Sequence, residues 1–177
     1  MYNTVDEHRR EHCALHTDVL KFIATSLNKL HDIKVVVETG IANGTSGKAL
    51  LEGFDKAIYH GYDTWKGFDA IHELPARKLL ASEQFNIHKE DTLNLDKFVD
   101  DIDFIYVDGD HTEPGAYRDL CTAQKTLTKH GFILVHDMDF TPVIKGVDKW
   151  YEENKEEFDF MHIKFGREYK LFWRKEK

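Results

Sequence analysis

Lys34-Val35-Val36-Val37-Glu38-Thr39-Gly40-Ile41-Ala42-Asn43-Gly44-Thr45-Ser46 decides the fold. The valine run is short, β-branched and continuously apolar, so residues 34–38 read as a buried strand. Gly40 then allows a tight turn and a close approach of ligand to backbone. Gly44 and Ser46 open a helix over residues 46–54, with Ala49, Leu50 and Phe54 facing inward. The first N–H groups of such a helix have no partner within it and face the same crevice. The glycine spacing is G-x-x-x-G, which differs from the G-x-G-x-x-G of nicotinamide-binding turns. Glu38, ahead of the first glycine, suits a cationic ligand better than a pyrophosphate.

Working outward, the strand-turn-helix unit repeats. Further strands are expected over 57–63, 84–88, 103–107 and 132–135, with a helical stretch near 72–82. Residues 113–129 form the next helix, with Pro114 in its first turn and Gly131 closing it. Thr141 is expected to cap a last helix whose core face is Val143, Ile144, Val147, Trp150 and Tyr151. Residues 160–164 and 168–173, joined through Phe165-Gly166-Arg167, read as a closing hairpin. Upstream, Thr4 and Glu7 have capping-box spacing, and Leu15, Val19, Phe22, Ile23, Leu27 and Leu30 recur at helical intervals, as two helices or one broken one. Alternation of this kind specifies an α/β fold with a doubly wound, mostly parallel sheet. One domain over 1–177 is expected, with 1–33 a helical extension and 34–174 the ligand-binding core.

Charge narrows the partners. Lys and Arg number 24 against 32 Asp and Glu, a net charge of −8. With no basic stripe, that excess argues against nucleic acid. No apolar run is long enough to span a bilayer, and the first residues have neither a positive start nor an apolar stretch. Cys13 and Cys121 lack metal-type or disulfide spacing and read as small buried hydrophobes. A cytoplasmic protein acting on a small molecule is the expectation.

Doubly wound sheets bind ligands beyond the carboxyl ends of their strands, so the residues just after each strand are the candidates. Asp63 lies 23 residues after Gly40, near the ~20-residue offset at which an acid meets ribose hydroxyls. Trp65 reads equally as an adenine platform or a core residue. Asp91 and Thr92, after the third strand, offer acceptors at the crevice edge. The fourth strand delivers Asp108-Gly109-Asp110-His111 and the fifth His136-Asp137, with Asp139 beyond. Two or three carboxylates with an imidazole suit a hard divalent cation such as Mg²⁺ or Mn²⁺, and equally suit an ionic network that orients loops.

Three segments together resemble a known family: E-T-G-x-x-x-G-T-S at 38–46, Y-D-T-W-K-G at 62–67, and F-I-Y-V-D-G-D-H at 104–111 with H-G-F-I-L-V-H-D at 130–137. Residues 34–173 are similar to class I S-adenosylmethionine-dependent methyltransferases, in particular the small-molecule O-methyltransferase branch with a D-G-D-H motif. The resemblance implies a Rossmann-like, seven-stranded sheet with an antiparallel terminal hairpin. It implies that Glu38, Gly40, Gly44 and Ser46 line the methionine and ribose end of the cofactor, that Asp63 holds the ribose, and that Asp91 and Thr92 sit by the adenine. Trp65 and Asp108 complete that cofactor set. In metal-dependent relatives the strand-end acids chelate a metal, which puts Asp108 and Asp137 first here and His136 third. Met138 stands where those relatives carry an acid or amide, and His130-Gly131 where relatives have Pro-Gly-Gly.

His111 is the candidate general base for methyl transfer to a hydroxyl, with Asp110 beside it to orient or raise it. The competing role for His111 is a cap on the following helix. Two other classes stand against a methyltransferase. A nicotinamide-dependent oxidoreductase conflicts with the glycine spacing and leaves little chain for a substrate domain. A non-catalytic binding protein on the same fold conflicts with the acid and histidine set. His8, His12 and His16 stack on one helix face, where two such histidines can bind a transition metal, and read otherwise as a solvated stripe or as acceptor contacts from a helix folded over the pocket. A homodimer is compatible with all of this and required by none of it.

Overall fold

A computed structural model gives the fold and describes residues 4–97 and 99–176, with side chains described from residue 15 onward, Phe68 excepted. The elements are α1 (Thr4–Leu30), β1 (Val35–Thr39), α2 (Thr45–Gly53), β2 (Ile58–Tyr62), α3 (Glu73–Leu79), β3 (Phe85–His88), β4 (Ile102–Val107), α4 (Glu113–Thr126), β5 (Leu127–Val135), α5 (Thr141–Asn154), β6 (Phe158–Phe165) and β7 (Arg167–Arg174). Short 3-10 helices cover Gly67–His72 and Thr92–Lys97.

The seven strands form one sheet in the order β3-β2-β1-β4-β5-β7-β6. Strands β1 to β5 run parallel, and β7 returns antiparallel beside β5 with β6 on its outer edge. The order reverses between β1 and β4, so the carboxyl ends of those strands flank the crevice where such sheets bind ligands. Val36 and Val37 show how the apolar run serves both faces. Val36 packs with α1 and α2 against Leu20, Leu50, Phe54 and Phe104, whereas Val37 packs with Leu120, Val147 and Trp150 of α4 and α5. A strand buried on both sides needs no alternation, which is why its signal is a plain apolar run.

The expected fold class holds, and several boundaries move. The N-terminal segment is one 27-residue helix. Its core face is Val19, Leu20, Ile23, Ala24 and Leu27, while Phe22 and Leu30 are exposed. The Thr4–Glu7 capping box and Cys13 lie outside the described side chains. Helix α4 ends at Thr126, before the expected Lys129, and Gly131 lies inside β5 rather than closing the helix. The cause is pairing: Leu127 is already in register with Ile102 on β4. Thr112 caps α4 by accepting from the Gly115 N–H at 3.1 Å. Thr141 is the first residue of α5, with Phe140 at the cap position and no side-chain cap bond. Cys121 is half-buried rather than buried. Among the described residues no helix is long and apolar enough to cross a membrane.

Candidate active site

A cavity of about 430 Å³ opens beyond the carboxyl ends of β1, β2, β3 and β4. Gly40, Ala42 and Asp63 form one side, Asp91 and Thr92 the next, and the Asp108-Gly109-Asp110-His111 turn the third. Its carboxylates are Asp63, Asp69, Glu90, Asp91, Asp108, Asp110 and Asp119, against the single guanidinium of Arg118 and the His111 ring. Low-dielectric walls bearing one sign of charge concentrate ligands of the other sign. The cavity is therefore built for a ligand with a positive centre and hydroxyl or amine donors.

The β1 turn is held from several directions. Gly40 has φ +79° and donates its N–H to the Tyr62 carbonyl at 2.8 Å. Asp63 accepts from the Ala42 N–H at 2.9 Å and from the Trp65 N–H at 2.7 Å, tying the ends of β1 and β2 together. Each carboxylate oxygen keeps further acceptor capacity toward the cavity. Trp65 donates from Nε1 to the Ala42 carbonyl at 3.0 Å and is 2% exposed. It buttresses the turn from behind and does not line the cavity, so the adenine-platform alternative is not the one the structure realises.

Glu38, Gly44 and Ser46 also lie beneath the cavity rather than on its lining. Glu38 is fully buried and accepts from the hydroxyls of Ser46 and Tyr59. Burial pushes its carboxyl up to about 8, although both hydrogen bonds favour the charged form. Burial thus favours the neutral carboxyl in the fold, whereas in the unfolded chain it ionises in the ordinary carboxylate range. A carboxyl raised in this way stabilises the fold fully below its ordinary pKa and loses that contribution as pH climbs toward about 8. Glu38→Gln keeps a neutral donor and acceptor at the same place. The variant is expected to match the wild type in urea denaturation near pH 4.5 and to gain on it steadily up to about pH 8. A stability difference that is flat with pH would show that Glu38 is ionised in the fold.

At the other edge, four side chains from β4, β5 and the turns after them meet. His111 Nε2 is 2.9 Å from Asp137 Oδ2 and 3.3 Å from Asp108 Oδ1. His136 Nδ1 is 3.0 Å from Asp108 Oδ1 and 3.1 Å from Asp137 Oδ1. The hydrogen bonds to Asp108 and Asp137 push the His111 imidazolium up to about 10. Burial opposes protonation of His136, but the same two carboxylates outweigh it and raise that ring to about 9. Burial would raise both acids, and the bonds from the two imidazoles overcome it and hold them below the usual carboxylate range. The pairing therefore favours ionised carboxylates beside protonated imidazoles. Asp137 sits at φ +53°, a conformation in which aspartate is enriched but which costs on the order of 1–3 kcal/mol.

This arrangement departs from the expected roles in two ways. Asp110 does not orient His111. Its carboxylate accepts from the Thr112 N–H at 2.9 Å and lies 3.4 Å from Arg118 Nη2. The acids on His111 are Asp108 and Asp137. In the candidate metal set, moreover, His111 replaces His136: ligand atoms of Asp108, His111 and Asp137 all lie within 4.8 Å of one another. His136 stands behind them, with Nδ1 turned to both carboxylates.

Asp119 is a site residue that sequence reasoning missed. It is 2% exposed, accepts from the Thr92 hydroxyl at 2.7 Å and from the Asp110 N–H at 3.4 Å, and so joins α4 to two walls of the cavity. Burial raises its carboxyl against the opposing Thr92 bond. The available signal was an acid on the apolar face of a helix, three residues after Ala116 and four before Ala123. Of the histidine stripe, only His16 has a described side chain. Its Nδ1 lies 2.7 Å from the Tyr169 hydroxyl and its ring packs on His136, so at this position the stripe is not a solvated face.

Residues 37–138 match the model of a family described as a methyltransferase domain. No curated protein matches the chain. Among solved structures, the O-methyltransferase TomG of Streptomyces achromogenes, involved in tomaymycin synthesis and determined with S-adenosylmethionine (SAM), superposes with a TM-score of 0.71 at 13% identity, over 90% of this chain and 79% of that one. An O-methyltransferase from Bacillus cereus in complex with SAH, the SAM product S-adenosylhomocysteine, gives 0.69 at 16%, over 89% and 81%. A methyltransferase from Podospora anserina with SAH bound gives 0.70 at 16%, over 90% and 78%. At these identities the likeness is one of fold.

Proposed function

The chain belongs to the methyltransferase-domain family, and from that premise we propose that it transfers the methyl group of S-adenosylmethionine to a hydroxyl of a small, hydroxyl-bearing acceptor such as a sugar. One observation carries the proposal. The cavity at the strand-order reversal is lined by seven carboxylates among the described residues and shares Asp108 and His111 with the cluster that Asp137 and His136 complete. The lining fits the cofactor chemically, because a sulfonium is cationic and ribose and adenine present donors that carboxylates accept.

When bound, the cofactor supplies an electrophilic methyl carbon on a positively charged sulfur. The chain's residues then have separable tasks. The Gly40–Ala42 turn brings backbone to the ligand, Asp63 takes the ribose hydroxyls, and Asp91 with Thr92 borders the adenine. Asp108 stands between the two ends, belonging to both the cavity and the imidazole cluster. His111 takes the acceptor's proton. Asp108 and Asp137 favour the protonated ring, so His111 first gives up that proton to solvent across its exposed side. An acceptor hydroxyl or a cation that competes for those carboxylates weakens that preference. Asp108, His111 and Asp137 are also the residues that would hold Mg²⁺ or Mn²⁺, an O,N set suited to a hard cation that polarises a hydroxyl; with a cation there the His111 nitrogen would be a ligand and not the base. His136 would then act on the two acids from outside the ligand set.

Calorimetry with SAH and with NAD tests the reading. Binding of SAH without NAD is expected, and binding of NAD alone would replace a methyltransferase with an oxidoreductase. Asp63→Ala is expected to weaken SAH by about 10–100-fold, the range for hydrogen bonds to a charged group. Unchanged affinity would move the ribose elsewhere. A screen of hydroxylated metabolites with SAH-release detection then identifies the acceptor. Turnover that survives EDTA would remove the metal and leave methyl transfer standing.

A further inference from the structure

His136 is under a constraint that β5 alone does not supply. The ring is 9% exposed, its Nδ1 serves both Asp108 and Asp137, and its Nε2 is buried without a hydrogen-bond partner among the described residues. A ring bonded through one nitrogen keeps its place only if packing fixes its plane. Tyr106 of β4 supplies part of that packing, at 6.1 Å between ring centroids, and the two nearer rings come from outside the segment matching the family model. His16 of α1 lies 4.8 Å from His136 between ring centroids, and Tyr169 of β7 lies 5.2 Å away. His16 and Tyr169 in turn hold each other: the Nδ1-to-hydroxyl distance is 2.7 Å and their planes differ by 9°. Burial foremost, with His136 nearby, pushes the His16 ring down to about 4, so it is neutral.

We infer that His16, carried by the N-terminal helix and buttressed by Tyr169, is a positioning residue that fixes the His136 ring and through it the geometry of Asp108 and Asp137. The inference rests on the assignment of that cluster to the acceptor side of the methyl-transfer site. It gives α1 a task in the reaction: without His16 the two carboxylates lose the orientation of one of their two imidazole partners. Neither His16 nor Tyr169 lines the cavity, so the step affected is turnover rather than cofactor affinity.

The experiment uses the full chain with His16→Ala, Tyr169→Phe and the double variant. Readouts are SAH affinity by calorimetry, kcat and KM with the acceptor found by screening, and the low-field proton signal of the His136 ring N–H, assigned through its loss in His136→Gln. His16→Ala is expected to lower kcat on the order of 10–100-fold, leave SAH affinity unchanged and move or broaden the His136 signal. Tyr169→Phe acts in the same direction by less, and the double variant falls short of the product of the two, because both act through one ring. An unmoved His136 signal with unchanged kcat overturns the inference. So does a parallel loss of SAH affinity and kcat, which marks general loosening. If His16→Ala does not fold, Tyr169→Phe decides the matter, since it keeps the ring and removes only the hydroxyl. Failure of the wild type to transfer methyl sinks the proposed function instead, while the His136 signal still reports whether His16 fixes the ring.

Discussion

His111→Ala is expected to lower methyl transfer by ~10²–10⁴-fold while leaving SAH affinity close to that of the wild type. The separation follows from where the ring sits. His111 is half-exposed at the mouth of the cavity, bonded to Asp108 and Asp137, and the turn that carries it is secured by other residues. Thr112 caps α4, Asp110 accepts from the Thr112 N–H, and Asp119 accepts from the Asp110 N–H. Removing the imidazole therefore removes a proton acceptor and a counter-charge without dismantling the wall that faces the cofactor. Single-turnover rates and calorimetry on one preparation check both halves. A drop of less than about tenfold would exclude His111 as the base, because base catalysis contributes more than that. A parallel fall in SAH affinity would make it a structural member of the turn. Asp137→Asn is the informative companion, since asparagine tolerates the φ of +53° and loses only the charge. It should retain SAH binding and leave His111 with Asp108 alone.

Why these residues are readable in the sequence, and others not, has a physical basis. Strands buried on both faces announce themselves as apolar runs, so β1, β4 and the end of β5 are plain. The start of β5 is hidden because Lys129 and His130 are exposed and break any apolar or alternating pattern. The site acids are readable because a doubly wound sheet concentrates function at the carboxyl ends of its strands, where Asp63, Asp91, Asp108 and Asp137 fall. Asp119 reaches the same cavity from a helix, and only packing reveals it. Trp65 shows the reverse case, where sequence leaves a ligand platform and a core role equally open and packing selects the core role. Its position after β2 suggests a ligand platform, yet its indole is turned to the Ala42 carbonyl and buried. The partner of His111 misleads for a similar reason: Asp110 is adjacent in sequence, whereas Asp137 becomes adjacent through the pairing of β4 and β5. His16 is visible only as one of three histidines on a helix face, and its target cannot be known before α1 is placed against β7.

Gly40→Ala is the substitution expected to damage the fold most directly. Two independent costs meet there. The backbone at φ +79° lies in the left-handed region, which an alanine occupies only at a cost of ~1–2 kcal/mol. In addition, a Cβ would stand 2.0 Å from the Asp108 carbonyl oxygen and 2.8 Å from Gly109 Cα. Both are backbone atoms, so no side-chain rotation relieves the contact. They are pinned as well, because the Asp108 N–H donates to the Thr39 carbonyl at 3.0 Å and Thr39 pairs with Val107. Relief requires parting β1 from the β4 turn at the point where the strand order reverses, which is the floor of the cavity. Overpacking of this kind typically costs ~1–3 kcal/mol. Together the costs come to roughly 2–5 kcal/mol, a large share of the 5–15 kcal/mol that holds a typical protein folded. At about 2–4 °C per kcal/mol, the melting temperature should fall by roughly 4–20 °C, and SAH binding should be lost even below the transition. Gly67→Ala supplies the control. Gly67 has φ +62°, but a Cβ there would meet nothing within 4 Å among the described residues beyond its chain neighbours, so the position bears the conformational cost without that clash. Gly67→Ala is expected to destabilise by ~1–2 kcal/mol and to keep SAH affinity. If the two alanine variants melt together and bind SAH alike, the close approach of β1 to the β4 turn is not what shapes the cavity.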